Sequence, residues 1–475
     1  MEITKIISTD IERKNLYQKY KNLIETDRKL NRTLVSFQAN KQEALYRWFK
    51  YKEGFSKKLV KYYITKYHPR AGHILDPFAG AGATLFAAKE LGWDSTGIEL
   101  LPVGVFAMEA RLASEKADGN EFAKTIKTFW DTFEENKTPA TRLKNIPITK
   151  GAYPEENERL LNLYLEHCSH ISDNDIRTLF KFAAFSVLEE ISYTRKDGQY
   201  LRWDYRANRS WGKTKFDKGK IYPFREAVEK KLKQINQDLN PVVNLDLFST
   251  PDQNGHTDNS LNTIQGSSLK IMPNLESNSF EFIMTSPPYC NRYDYTRTYA
   301  LELVFSGYDD KAVKNLRQTM LSCTVENKEK HEAIKTVYQN LSRFSDFQEV
   351  VSVYNSCGAM QEVNDVLEQL NSRKLLNNSN IPRMVKNYFF EMAFIIFEMQ
   401  RVLKHNGFVV MVNDNVQYGG EEVPVDLILS DFAESFGLTI RKIWTLPVGK
   451  GNSSQQMGHH GRTELRKCVY VWEKV

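Results

Sequence analysis

Cysteine is scarce in this chain. Five cysteines among 475 residues (Cys168, Cys290, Cys323, Cys357 and Cys468) are scattered, with no Cys-x-x-Cys pair and no metal-ligand spacing. This argues against a disulfide framework and against bound metal, and predicts reduced thiols in a cytoplasmic protein. Long apolar runs are missing too. No stretch approaches the roughly 18 uninterrupted apolar residues of a membrane span, so no membrane partner is expected. The opening residues, Met1-Glu2-Ile3-Thr4-Lys5, lack the apolar core of a secretory signal. Neither sign of charge dominates: 65 Lys and Arg against 59 Asp and Glu leave +6, which permits a nucleic-acid partner without requiring one. The Gly-x-Gly-x-x-Gly dinucleotide fingerprint and the Lys-Ser/Thr of a P-loop are also absent from the glycine-rich turn described below.

What is present is ordinary in bulk, with 41% apolar and 26% charged residues, as in a globular protein. The length exceeds one average domain, so two or three folding units are expected. One tetrapeptide stands out. The apolar run Phe280 to Thr285 reads as a buried strand and ends in Ser286-Pro287-Pro288-Tyr289. Prolines lack amide donors and fix their own φ, so the strand cannot continue through them. A stiff corner results at the carboxyl end of a strand, where ligands bind in open α/β sheets. It offers a serine oxygen, a proline carbonyl and an aromatic face, a set suited to gripping a planar amine.

A second anchor lies upstream, at His73-Ile74-Leu75-Asp76-Pro77-Phe78-Ala79-Gly80-Ala81-Gly82-Ala83-Thr84. A short strand ends at Asp76, a small-residue turn follows, and a helix runs from about Thr84 to Leu91. Glycines at 80 and 82 allow close backbone approach, and the helix N-terminus faces whatever sits there. The next strand, Ser95 to Glu99, puts a carboxylate at its tip, close to the ~20-residue spacing at which a Rossmann-like fold holds a ribose.

Ser286-Pro287-Pro288-Tyr289 resembles the catalytic motif of amino-group DNA methyltransferases, whose pattern is Asp/Asn/Ser-Pro-Pro-Tyr/Phe. The serine form looks most like the enzymes that methylate N4 of cytosine in restriction–modification systems. Asp76-Pro77-Phe78-x-Gly80-x-Gly82 is similar to the S-adenosylmethionine loop of the same family. The resemblance covers about residues 45–110 and 262–475, less an insertion near 306–380. It implies a Rossmann-like α/β sheet with helices on both faces, closed by an antiparallel hairpin, and S-adenosylmethionine as cofactor. It implies cofactor contacts from Trp48, Phe49, Asp76, Phe78, Gly80, Gly82, Thr84, Glu99, Ser267 and Ser286. Ser267 stands where the family more often has Asp. Catalysis would fall to Ser286, Pro287, Pro288 and Tyr289, acting on a base flipped out of double-stranded DNA.

The remaining chain divides by pattern. Residues 1–40 read as a helical arm, 41–111 as the first part of the methyltransferase domain, 112–260 as an inserted subdomain and 261–475 as the second part. Tyr193 to Lys233 in the insertion is basic and aromatic, the chemistry that phosphates and unstacked bases need. Arg202, Trp203, Arg206, Arg209, Lys213 and Lys215 are its DNA-contact candidates, joined by Arg292 and Arg297 after the proline corner. Ser249 to Ser260 reads as the exit linker. The glycine-rich segments 449–454 and 458–462, the latter with His459 and His460, read as a loop facing DNA or solvent. Ser286 is not expected to be a covalent nucleophile, since the motif positions no His or Lys base. Alternatives are adenine N6, RNA or a protein glutamine as target, or a DNA-recognition subunit with a relic cofactor site. A cognate restriction endonuclease is an expected partner in function; monomer or dimer is open.

Overall fold

A computed structural model describes residues 10–197, 200–207, 209, 215–240, 259–447 and 465–475. Lys213, most of the exit linker and the two glycine-rich segments after residue 447 lie outside the described residues.

Eight strands form the central sheet: β1 (Ile24–Thr26), β2 (His73–Asp76), β3 (Asp94–Glu99), β4 (Leu261–Gln265), β5 (Phe280–Thr285), β6 (Leu403–Asp414), β7 (Thr439–Thr445) and β8 (Lys467–Glu473). Their order is β1-β7-β8-β6-β5-β2-β3-β4. All neighbours pair in parallel except β8, which runs antiparallel to both β6 and β7. This is the Rossmann-like methyltransferase sheet with its closing antiparallel hairpin. Strand order reverses between β2 and β5, so their carboxyl ends flank the crevice where ligands bind in such sheets.

The central strands read as apolar runs because both faces are covered. Alternate residues go to different cores. Ile283 of β5 joins one cluster and Phe282 and Met284 the other; Val409 and Met411 of β6 separate from Val410 and Val412 in the same way. The first cluster is filled by the helix Ile381–Val402, which starts with Pro382 in its first turn. The second is filled by the helix Lys57–Tyr67, whose Leu59, Val60, Tyr63 and Ile64 are buried at helical spacing. Ser56 caps that helix, its Oγ accepting from Leu59 N at 3.2 Å.

The arm expected over residues 1–40 contributes the helix Ile11–Tyr20 and then strand β1. Its Arg13 pairs with Glu362 and Glu421, at 3.1 and 3.0 Å, so it is tied to the body. The insertion after residue 111 folds around a third core of Phe122, Tyr164, Leu179, Phe180 and Phe185, to which Trp48, Phe49 and Tyr299 of the body also belong. It carries a hairpin, Thr194–Asp197 with Tyr200–Trp203. The 306–380 segment forms helices, and Tyr338, Phe347, Met360 and Leu367 from it are buried in the same core as the helix Ile381–Val402. All five cysteines are buried and free. No described helix is long and apolar enough to cross a membrane, and the described residues contain no cluster of three or more His, Cys, Asp or Glu that could hold a metal.

Candidate active site

A cavity of about 400 Å³ opens over the carboxyl ends of β2, β3 and β5. Its wall includes Phe49, Asp76, Phe78, Gly80, Glu99, Ser267 and Ser286, seven of the ten residues expected to hold a cofactor. The other three are not in the wall. Trp48 points its Nε1–H at Asp238, 2.7 Å away. Gly82 is the left-handed residue before the helix Ala83–Lys89, at φ +77°, and a Cβ there would lie 2.8 Å from Met108 Cγ. Thr84 Oγ donates to Asp76 Oδ2 at 2.6 Å. Gly82 and Thr84 shape the turn from behind.

Asp76 is the turn's internal tie. Its Oδ1 accepts from Phe78 N at 3.0 Å and from Thr285 Oγ at 2.7 Å, which locks β2 to β5 across the strand-order reversal. Burial pushes its carboxyl up to about 6. Glu99 is held from two sides: Oε2 accepts from Gly80 N at 2.7 Å and Oε1 from Leu101 N at 2.6 Å. Burial pushes it up to about 7. Each oxygen accepts one of these bonds and has capacity for another, the set that two hydroxyls of a ribose would need. Gly80 takes φ +54° and would put a Cβ 2.9 Å from the Tyr51 ring, so this aromatic lies directly on the turn.

At the proline corner, Ser286 and Pro288 line the cavity, and Pro287 is buried. Ser286 Oγ donates to the Tyr289 hydroxyl at 3.2 Å. Tyr289 stands beside the cavity, with Lys467 Nζ 5.8 Å from its ring centroid and that lysine 3.3 Å from Asp414. Burial raises the tyrosine's pKa, keeping the phenol neutral.

The residue patterns did not single out several wall residues: Tyr46, Arg111, Ser268, Met320 and Leu321. Arg111 belongs to no motif. Met320 and Leu321 arrive from the second insertion.

The DNA-contact candidates separate into two groups. Arg202 is exposed on the outer face of the hairpin, directly opposite Arg195, with its guanidinium 4.1 Å from the Phe216 ring centroid. Lys215 is exposed. Trp203, half-buried, lies 4.0 Å under the guanidinium of Arg209. Arg209 itself donates to the carbonyls of Pro147 and Lys150 at 2.8 and 2.7 Å. Arg206 grips Asp204 at 2.6 and 2.9 Å and holds that carboxyl down to about 2. Arg297 pairs with Asp294 and Glu326, at 3.1 and 2.7 Å, and Arg292 donates to Asn377 at 2.8 Å.

A Rossmann-like sheet, a glycine turn locked to a strand-tip glutamate, and a Ser-Pro-Pro-Tyr corner across the same crevice define an S-adenosylmethionine-dependent methyltransferase of the amino-group class. The cavity fits that cofactor in size, within the ~300–1,000 Å³ of small-molecule sites. It fits in chemistry as well, with a carboxylate for the ribose and wall residues of both charge signs.

Comparison with known proteins narrows the class. A family model described as DNA methylase matches residues 7–103. The type II methyltransferase M.AvaI of Nostoc is 46% identical over 468 residues, 97% of this chain and 93% of the relative. The type II methyltransferase M.BsoBI of Geobacillus stearothermophilus is 40% identical over 481 residues, 98% and 92% of the two chains. A local match, 33% over 76 residues, links 16% of the chain to 14% of the type II methyltransferase M.MjaII of Methanocaldococcus jannaschii. No solved structure matches. The chain belongs to the type II DNA methyltransferases, enzymes of restriction–modification that methylate amino groups in DNA with S-adenosylmethionine.

Proposed function

We propose that the target is the exocyclic N4 of cytosine, in a base swung out of the duplex, and that the enzyme protects sites cut by a cognate restriction endonuclease. The observation that carries this reading is the residue at the cavity wall, a serine at position 286. Its Oγ donates to the Tyr289 hydroxyl at 3.2 Å, which leaves the oxygen's lone pairs to accept. Asp or Asn at this position would favour adenine.

Cytosine N4 is a weak nucleophile because its lone pair is conjugated into the ring. Ser286 Oγ and the Pro287 carbonyl accept its two hydrogens, holding the nitrogen in the more tetrahedral form it needs for attack. Tyr289 stacks on the extruded base, since a paired base hides its amine. Bound S-adenosylmethionine supplies an electrophilic methyl group. Ser286 forms no covalent bond; its described hydrogen-bond partner is a phenol, which is no general base at neutral pH. Phe49, Phe78, Gly80, Glu99 and Ser267 hold the cofactor, and the insertion's hairpin contacts the DNA.

The test is transfer of labelled methyl to unmethylated DNA, followed by digestion to nucleosides and mass spectrometry. N4-methylcytosine is the expected product. N6-methyladenine would overturn the base assignment and the reading of Ser286, and label confined to RNA or protein would overturn the substrate.

A further inference from the structure

Arg111 lies on the helix Pro102–Lys116, which packs so closely on the glycine turn that a Cβ at its Gly104 would stand 2.4 Å from the Gly80 carbonyl oxygen. The side chain reaches the cavity wall and is only 5% exposed. Its guanidinium lies 4.2 Å from the Tyr46 ring centroid and 5.2 Å from that of Phe86, and Nη1 donates to the Ala81 carbonyl at 2.8 Å. Among the described residues it forms no ion pair. That is an unusual state for a buried arginine, because a desolvated charge is costly unless paired. Burial pulls its pKa down to about 10, so it is still charged at neutral pH. A guanidinium has five N–H donors, and one of them is spent on Ala81.

The rest of the wall cannot supply the missing anion. Asp76 and Glu99 are tied to Phe78, Thr84, Thr285, Gly80 and Leu101, and Glu53, the third carboxylate of the wall, accepts from the Tyr299 hydroxyl. The other cations at the wall differ from Arg111: Lys41 and Lys50 are exposed, and Arg47 is already bound to Asp238. The partner must come with the ligand. S-adenosylmethionine has a neutral adenine and ribose, a cationic sulfonium and a cationic ammonium at neutral pH. Its methionine carboxylate alone is anionic.

We propose that Arg111 takes the methionine carboxylate of the cofactor, anchoring that end of the ligand against the Gly80–Ala81 turn while Glu99 holds the ribose. The inference rests on the cofactor site and is independent of which base is methylated. A fork of N–H groups on a carboxylate, stacked on an aromatic ring and shielded from water, is a strong and directional contact.

The test is calorimetric titration without DNA, using two ligands: S-adenosylhomocysteine, which carries the carboxylate, and 5′-methylthioadenosine, which lacks the amino-acid arm. Arg111→Met is expected to weaken S-adenosylhomocysteine by about 30-fold, the scale of a lost charge-assisted pair, with 5′-methylthioadenosine within about threefold of the wild type. Arg111→Lys keeps the charge without the fork and is expected to lose about fivefold, for S-adenosylhomocysteine only. Equal losses for both ligands would show that Arg111 only props the turn and would overturn the proposal, as would unchanged binding. If Arg111→Met does not fold, Arg111→Lys decides on the same two ligands.

Discussion

Asp76 and Glu99 face each other's field inside one wall, and both are harder to ionise in the folded protein than in the unfolded chain. From about pH 4 to about 7 the folded state therefore holds more protons than the unfolded one, and stability falls as pH rises through that window. The ligand-free protein should melt at a lower temperature at pH 7.5 than at 5.5, and Glu99→Gln should shrink that drop. An undiminished drop in differential scanning calorimetry would mean that Glu99 is not the group titrating. Cofactor binding runs the other way, because the ionised glutamate is the better hydroxyl acceptor: affinity should rise from pH 6 to 8. Ser286 gives a second prediction at this scale. Ser286→Ala should reduce single-turnover methyl transfer by about 10² or more, the scale of one lost oriented contact, with cofactor affinity within a few fold. A matched loss of transfer and cofactor binding would remove Ser286 from the chemistry.

The hairpin of the insertion carries two like charges on one exposed face. Arg195 and Arg202 stand directly opposite each other, an arrangement that repels across strands. Both guanidiniums pack against the same ring, Phe216, at 5.4 and 4.1 Å. Tyr200 on the same outer face is 52% exposed. Arg202 reaches Asp197 at 3.3 Å and Arg195 donates to the Lys218 carbonyl at 2.9 Å, which offsets part of the repulsion; phosphate would relieve the rest. Arg206, spent on Asp204, has a different role. Arg202→Ala should weaken DNA binding and lower the salt slope of log K by about one, as for one lost phosphate contact. Arg206→Ala should instead lower the melting temperature and leave that slope unchanged. Fluorescence anisotropy at several salt concentrations, beside thermal melts of the same variants, separates the two.

At the scale of the whole molecule, the insertion and the catalytic body are joined by a buried ion pair. Lys196, from the inner face of the hairpin, meets Glu302, with side chains 4% and 1% exposed. The lysine also lies 4.4 Å from the Tyr299 ring centroid, and Tyr299 stacks on Tyr51 with centroids 5.4 Å apart. The hairpin proposed to contact DNA and the cavity wall therefore share one packed column of side chains. Glu302→Leu alone should cost about 3–5 kcal/mol, because it strands a buried cation, whereas the double variant Lys196→Met/Glu302→Leu should recover most of that loss. Denaturant unfolding checks this, and equal costs for single and double variants would mean that the pair is not desolvated.

The linear chain by itself determined the sheet and the two motifs at its crevice. Burial on both faces writes apolar runs, two prolines end β5 at Thr285, and glycines mark the turn after β2; these are local rules that act within a few residues. Which side chains of those motifs meet a ligand was decided only by the tertiary structure. Thr285 ties down Asp76 from 209 residues away, Asp238 takes Trp48 from 190 residues away, and Asp204 and two carbonyls use up Arg206 and Arg209. Arg111 had no local signature, since an arginine in a helix reads as solvated until Tyr46 and Phe86 close over it. Pairing and desolvation are set by every group around a charge, and most of those groups are distant in the chain.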